Sequence, residues 1–323
     1  MCGIAAIFAY HYAALEADRK ELGRIRDRMA SRGPDGAGEW FSTDGRVALG
    51  HRRLAVIDLS EKAAQPMASD EDEIVVSFNG EIYNYQEIRS ELQARGHRFH
   101  SHSDTEVLLR LYQEKGEAMV LDLRGMFAFV LWDARKRILF LARDPYGIKP
   151  LYYADDGWTV RVASQVKALL ASEKVSRLPE PAGIVGFFLM GSVPEPYTTY
   201  KEIRQVPAGC TMIVNEAGPQ EPKRYLSIAG SFDGRKKTPD GKDTVREALL
   251  DSIRHHFVSD VPVGVFLSGG IDSGSLVGLA VEAGFKRVET VTLAFQEFQG
   301  GPWDEAPLAE IVAQHYGIRH STR

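Results

Sequence analysis

Cysteine is scarce in this chain: 323 residues contain only Cys2 and Cys210. Two thiols make no disulfide framework, and their scarcity suits a reducing compartment, so a cytoplasmic location is expected. No apolar run is long enough to span a bilayer. The opening stretch Met1 to Phe8 is apolar, but the first basic residue is Arg19, which argues against a secretory signal. Positive charge is not in excess either. The 39 Lys and Arg against 44 Asp and Glu give a formal charge of −5, which excludes nucleic acid and an anionic membrane as expected partners. Internal repeats and low-complexity tracts are absent. What remains, 44% hydrophobic and 26% charged residues, is the composition of an ordinary globular protein, long enough for two domains.

The pattern changes once along the chain. Before residue 226, strands are expected at Gly3–Ala9, Ile74–Phe78, Met126–Trp132 and Ile138–Ala142, with later ones near Thr159–Ala163, Ile203–Val206 and Thr211–Val214. Helices are expected at Asp18–Met29 and from Asp104, as cap, to Lys115, with Gly116 as stop. This mixture implies sheets packed face to face and covered by helices. Residues 226–244, rich in Gly, Ser, Asp and Lys, read as a linker. From 245 to 323 strand and helix alternate: helix at Val245–Phe257, strand at Val263–Leu267, helix at Ser275–Val281, strand at Val288–Phe295, helix at Glu305–Tyr316. That alternation implies a parallel α/β sheet.

A lone cysteine is usually a small buried hydrophobe, and Cys210, inside an expected strand, keeps that reading. Cys2 differs because of its position. Removal of Met1 would leave a free α-amine beside its own thiol. An α-amine titrates near ~8 and a thiol near ~8.5, so the amine can take the thiol proton. Asn79-Gly80-Glu81 follows a strand directly. An Asn side chain and a Gly backbone N–H can form an oxyanion hole, in which one donor is worth about 3 kcal/mol; the alternative is a simple hairpin turn. Gly50-His51-Arg52-Arg53-Leu54 and His102-Ser103-Asp104-Thr105-Glu106 supply a cation and a carboxylate.

With these residues in view, the sequence resembles the class II glutamine amidotransferases, specifically those at the front of glutamine-dependent asparagine synthetases. The matching segments are Met1-Cys2-Gly3-Ile4, Arg32-Gly33-Pro34-Asp35, His51-Arg52-Arg53-Leu54, Phe78 to Asn84, Ser103 to Glu106, Gly125 to Phe129 and Ala142 to Tyr153. The resemblance implies an N-terminal-nucleophile four-layer αββα sandwich of the α+β class over residues 2–225. It implies that Cys2 attacks the side-chain amide of glutamine, that Asn79 and Gly80 hold the oxyanion, that Arg53 pairs with the α-carboxylate, and that Glu81 and Asp104 hold the α-ammonium. Arg52 stands where relatives often carry an acid.

Phe266-Leu267-Ser268-Gly269-Gly270-Ile271-Asp272-Ser273 lies between an expected strand and an expected helix. Backbone N–H groups on such a loop, ahead of a helix N-terminus, form an anion nest. Gly-Lys-Ser/Thr is missing, so γ-phosphate transfer is not indicated. The loop resembles the pyrophosphatase loop of enzymes that split ATP between its α- and β-phosphates, which implies the start of an α/β ATP-pyrophosphatase domain at 245–323. It implies ATP binding by Phe266, Ser268, Gly269, Gly270, Ile271, Asp272, Ser273 and Leu293, with Asp272 on Mg²⁺. The reaction implied is amidation of aspartate to asparagine, using ammonia from glutamine and releasing AMP and pyrophosphate, by an enzyme that forms a homodimer.

Relatives carry a longer C-terminal domain with a second Gly-rich acidic segment that has no counterpart here, so a fragment or an early-terminated reading frame is expected. His97, His100 and His102 fit no common zinc spacing and read as a solvated loop. Two other readings stay open: an amidotransferase with a different carboxylate acceptor, such as a β-lactam-forming synthetase, and a glutaminase or non-catalytic binding remnant.

Overall fold

The computed structural model describes residues 1–71, 73–232, 241–285 and 287–323. They fall into two compact units, divided between Gly234 and Arg235. Part of the expected linker, residues 233–240, lies outside the described residues.

The first unit runs β1 (Gly3–Phe8), α1 (Arg19–Asp27), β2 (Gly36–Phe41), β3 (Val47–Arg53), β4 (Met67–Ala68), β5 (Ile74–Ile82), α2 (Tyr85–Ala94), α3 (Asp104–Lys115), β6 (Gly125–Asp133), β7 (Ile138–Arg143), β8 (Tyr152–Asp155), β9 (Val160–Ala163), α4 (Val166–Leu169), α5 (Pro181–Met190), β10 (Ile203–Gln205), β11 (Cys210–Asn215), β12 (Gly218–Pro219) and β13 (Lys223–Arg224). Two sheets result, in the orders β10-β8-β9-β1-β3-β2 and β12-β11-β7-β6-β5-β4, with β13 also on β11. All the pairings within them are antiparallel.

β1 is a continuous apolar run because both of its faces are covered. Ile4, Ala6 and Phe8 pack between the sheets against Val75, Val130, Trp132, Leu139 and Leu141. Ala5 and Ile7 point the other way, onto Leu22 and Ile25 of α1 and Leu169 of α4. Beyond the second sheet, Tyr112 of α3 lies against Phe140, ring centroids 5.9 Å apart. The order of layers is helix, sheet, sheet, helix, and β1 starts in the middle of it, so the chain terminus is fixed by the core.

Local signals set the helix ends. Asp18 caps α1 by accepting from Lys20 N–H, so the helix begins at Arg19, one residue inside the expected start. For α3 the cap is Ser103 rather than Asp104: the Ser103 hydroxyl accepts from Thr105 N–H, and Asp104 becomes the first helical residue. Its carboxylate is thereby released to turn toward β5.

The second unit contains α6 (Gly241–His256), β14 (Gly264–Phe266), α7 (Ile271–Glu282), β15 (Glu289–Thr292), α8 (Ala306–Tyr316) and β16 (Arg319–Thr322). The three strands form a parallel sheet in chain order, with Gly264 opposite Glu289 and Glu289 opposite Arg319. Leu267, Val277, Ala309 and Ala313 make one small core, and Ile253, Ala280 and Val288 another.

Candidate active site

The expected residues of the first unit meet in one pocket of about 250 Å³, lined by Cys2, Arg53, Asn79, Gly80, Glu81 and Asp104 among others. Each arrives from a different part of the sandwich: Cys2 from the residue before β1, Arg53 from the end of β3, Asn79 to Glu81 from β5, and Asp104 from the start of α3.

The ladder of β5 explains why the pocket has hydrogen-bond donors to offer. Asn79 and Gly80 are not a hairpin turn. They lie inside β5, with Asn79 opposite Ala128 and Gly80 opposite Phe127. Residues in an antiparallel ladder alternate between bonding the neighbour and facing away from it. Phe78 faces away from β6, because its N–H goes to Gln65 Oε1 at 2.7 Å and its carbonyl to His51 Nε2 at 2.9 Å. Ile82 faces the same way, its N–H reaching Asp104 Oδ2 at 3.1 Å. Gly80 lies between them, so its N–H points to that same open side, beyond the short β4, which pairs only with Val75 and Val76. The position must be glycine, since a Cβ would lie 2.2 Å from the Met126 carbonyl oxygen and 2.7 Å from Phe127 Cα. Asn79 is buried, yet its Nδ2 has no partner among the described residues. An amide N–H left unpaired in a buried site costs about 1–3 kcal/mol, so it marks a place where something else is meant to bind.

The thiol of Cys2 rests on Leu54. It lies 3.6 Å from the Leu54 carbonyl oxygen and 3.4 Å from the Leu54 nitrogen. Burial is the main cause that raises its pKa. Met1, which also lines the pocket, carries an amine whose pKa is lowered, chiefly by burial, with Arg32 and Lys149 acting in the same direction. The Arg32-Gly33-Pro34-Asp35 segment braces this corner. Arg32 Nε donates to the Cys2 carbonyl at 2.9 Å, Asp35 Oδ2 accepts from Ala55 N–H at 2.9 Å, and Asp35 N–H donates to the Arg53 carbonyl at 3.0 Å.

Arg53 is anchored as well: its terminal nitrogens donate to the carbonyls of Ser60, at 3.0 Å, and Asp58. Asp104 is fully enclosed, and burial, with Glu81 adding to it, pushes its carboxyl up to about 7. Arg52 turns away to the α1 end, 3.8 Å from Asp27.

Sequence reasoning missed Gln65 and Lys149 on the pocket wall. Lys149 lies inside a quoted segment, but its burial follows from a loop clamp invisible in one dimension. The Asp144 carboxylate accepts from the N–H groups of Tyr146, Ile148 and Lys149 at 2.9–3.0 Å, and Arg143 Nε donates to the Lys149 carbonyl at 2.9 Å. Cys210 is buried in β11. His97 and His100 lie against different acids, Glu114 at 3.7 Å and Asp70 at 3.2 Å.

In the second unit, Phe266 ends β14 and Leu293 follows β15, so both stand at the C-terminal side of the parallel sheet, where such folds bind ligands. Phe266, Ile271 and Leu293 are exposed. The Ser268–Ser273 loop is closed by its two serines: Ser273 Oγ accepts from Ser268 N–H at 3.1 Å and lies 2.9 Å from Ser268 Oγ. Gly269 and Gly270 form its turn, and Gly270 precedes α7 without a side-chain cap. Asp272 is in the first turn of α7. Among the described residues no three His, Cys, Asp or Glu side chains come together as a metal site. Nor is any helix among them long and apolar enough to cross a membrane.

A family model described as a glutamine amidotransferase domain matches residues 1–226, and one described as asparagine synthase matches residues 244–323. Asparagine synthetase [glutamine-hydrolyzing] 1 of Bacillus subtilis is 37% identical, covering 100% of this chain and 50% of that protein. Amidase chry2 of Gibberella zeae is 35% identical, over 98% of this chain and 50% of its own length. The chain thus spans about half the length of these curated relatives. The solved structure of glutamine phosphoribosylpyrophosphate amidotransferase from B. subtilis, complexed with ADP and GMP, aligns with a TM-score of 0.56 at 17% identity, over 99% of this chain and 90% of that one. At that identity the likeness shows the fold alone: an N-terminal-nucleophile sandwich at the front, with a small parallel sheet in the C-terminal part.

Proposed function

We propose that this chain, which belongs to the glutamine amidotransferase domain family, works as a glutamine-hydrolysing asparagine synthetase, and that residues 2–225 of its first unit release ammonia from glutamine at Cys2. The observation that carries the proposal is that the Cys2 thiol shares one pocket with the buried Asn79 amide, whose Nδ2 has no partner among the described residues, and with Gly80, whose N–H the β5 ladder turns to the open side.

Removal of Met1 leaves the α-amine of Cys2 free to take the thiol proton. The sulfur adds to the side-chain amide carbon of glutamine, and the oxygen, now negative, accepts from Asn79 Nδ2 and Gly80 N–H. The proton passes from the ammonium to the leaving nitrogen, ammonia departs, and a thioester remains. Water, deprotonated by the same amine, adds to the thioester carbon, and glutamate leaves as the thiol is restored. Arg53 pairs with the α-carboxylate, while Glu81 and Asp104 take the α-ammonium. A zwitterion requires both signs in one pocket, and both are present.

For residues 245–323 of the second unit, the match to the asparagine synthase family and the Ser268–Ser273 loop support binding of ATP. Phe266 and Leu293 flank the adenine, and Gly269 and Ile271 present N–H groups to the phosphates, while the Gly270 N–H donates to Ser268 Oγ at 3.2 Å and holds the loop in shape. Asp272 is one carboxylate beside a phosphate nest, which fits Mg²⁺, an ion commonly held by one or two carboxylates and substrate phosphates. The ion would neutralise phosphate charge. We take aspartate as the acceptor, activated as its adenylate and released as asparagine with AMP and pyrophosphate. The relative named an amidase favours a second reading, a different carboxylate acceptor. The unpaired state of Cys2 and Cys210 fits a reducing, cytoplasmic setting.

The decisive experiment measures ammonia and glutamate from glutamine, with the intact mass of the same sample. Equal amounts of both products, a mass lacking Met1, and loss of at least about a thousandfold in activity in Cys2→Ala are expected. Unchanged ammonia release in Cys2→Ala would sink the proposal. Pyrophosphate release that depends on aspartate supports the acceptor, and aspartate-independent release refutes it.

A further inference from the structure

We infer that Gln65 is a positioning residue that fixes the distance between the two ends of the pocket and so sets the length of amide side chain it accepts. This rests on the reading of the pocket as a glutaminase site.

Gln65 is buried, and its side chain spans the pocket wall. Its Oε1 accepts from Phe78 N–H at 2.7 Å and its Nε2 donates to Thr105 Oγ1 at 3.1 Å. The amide orientation is unambiguous, because a backbone N–H must face the oxygen. Phe78 immediately precedes Asn79, at the end where the oxyanion forms. Thr105 immediately follows Asp104, at the end where the α-ammonium binds. One rigid amide therefore ties the two recognition elements together.

Both anchor points are themselves held. Phe78 is gripped on its other side by His51, 2.9 Å from its carbonyl. Thr105 N–H is taken by the Ser103 hydroxyl at 3.1 Å. The Gln65 backbone is wedged against β2, where a Cβ on Gly38 would lie 2.0 Å from the Gln65 carbonyl oxygen. Gln65 thus acts as a strut between fixed ends rather than as a mobile side chain. A second tie between β5 and α3, in which Ile82 N–H donates to Asp104 Oδ2, depends on a carboxylate that the substrate itself engages. Gln65 is the tie that stays constant through turnover.

The test compares glutamine with asparagine, one methylene shorter, as substrates of the full chain. Wild type, Gln65→Met, Gln65→Glu and Thr105→Val are assayed for kcat and KM on both, with active thiols counted by a diazoketone analogue of glutamine. Gln65→Met has similar length but makes neither bond. It is expected to lower kcat on glutamine per titrated thiol by about ten- to a hundredfold, as misplacement by about 1 Å does. The preference for glutamine over asparagine should fall at least about tenfold with it. Thr105→Val should shift both in the same direction. Gln65→Glu, which can still accept from Phe78 N–H and from the Thr105 hydroxyl, should recover part of the kcat.

Wild-type kcat per thiol together with an unchanged glutamine preference in Gln65→Met would overturn the inference while leaving the glutaminase reading intact. So would an activity loss explained wholly by fewer titrated thiols. A wild-type protein that releases no ammonia from glutamine would overturn both.

Discussion

The Cys2 sulfur lies against the Leu54 peptide, 3.4 Å from its nitrogen and 3.6 Å from its carbonyl oxygen. The carbonyl can accept the thiol proton as a hydrogen bond but cannot take it away, and burial raises the thiol pKa. The thiol is therefore protonated at neutral pH unless a base is supplied. Alkylation by a neutral haloacetamide should then depend on Met1. A form with Met1 retained should react slowly until the pH exceeds the ordinary thiol range, whereas the processed form should react at least about tenfold faster near neutrality. Equal rates for the two forms would show that the α-amine is not the base.

Asp104 leads to a second expectation. With the pocket empty, burial and the neighbouring Glu81 push its carboxyl up to about 7, against the N–H bonds from Ile82 and Thr105 that pull it down. An α-ammonium binds the ionised form. The KM for glutamine should therefore rise by about tenfold per pH unit below neutrality and level off above it, by proton linkage. In Asp104→Asn the KM should be high throughout and this acidic limb should vanish. A wild-type KM that is flat through neutrality would contradict the assignment of Asp104 to the ammonium.

Much of this was legible in one dimension because the residues of the proposed glutaminase site sit in short local segments. Cys2 needs only its position, and Asn79-Gly80 only a strand before it. What the sequence does not carry is the parity of a ladder. Asn79-Gly80 is a sound hairpin signal, and it yields here because β5 continues to Ile82, against β6 along its full length. Asp104 reads as a cap, but Ser103 takes that role and frees the carboxylate. β2, β3 and α2 escaped notice, since strands such as Gly36–Phe41 are only half buried and alternate weakly. α5 was missed as well: its apolar residues do not follow a helical stripe, and Phe187, Phe188 and Leu189 are exposed. Gln65 has no motif at all. Its importance lies in spanning 13 residues to Phe78 and 40 to Thr105, a relationship that only the folded chain contains.

Asn79 should show function and stability pulling apart. Its buried Nδ2 has no partner among the described residues, so Asn79→Leu removes an uncompensated donor while keeping the branched shape of the side chain. Stability should stay level or rise by about 1 kcal/mol. Activity on glutamine should fall about 10²–10³-fold, mostly in kcat, as for other lost oxyanion donors. Chemical denaturation and steady-state kinetics on one preparation check both. A variant that is destabilised yet fully active would reverse the roles given to this side chain.

His51 provides the last test, through pH and stability. It is fully buried, and its Nε2 lies 2.9 Å from the Phe78 carbonyl, which must accept, so Nε2 carries the proton. Nδ1 has no partner among the described residues to share a second proton with. Burial accordingly holds the pKa down to about 4, below the ordinary 6.5. Because the folded value is the lower one, the unfolded chain takes up the proton first as pH falls. The contribution is fully present above about pH 6.5 and is lost progressively down to about 4, amounting to about 3 kcal/mol. Asp104 has the opposite sign in the same window, since its folded value is raised and its protonation favours the folded state on acidification. A difference curve separates the two. His51→Gln offers an N–H to the Phe78 carbonyl without titrating. Denaturation of wild type and variant across this range should give curves that diverge, the wild type losing about 3 kcal/mol more on acidification. Parallel curves would mean that His51 is not held neutral by its burial. The clamp on Phe78, and with it the placement of Asn79 and Gly80, would then need another explanation.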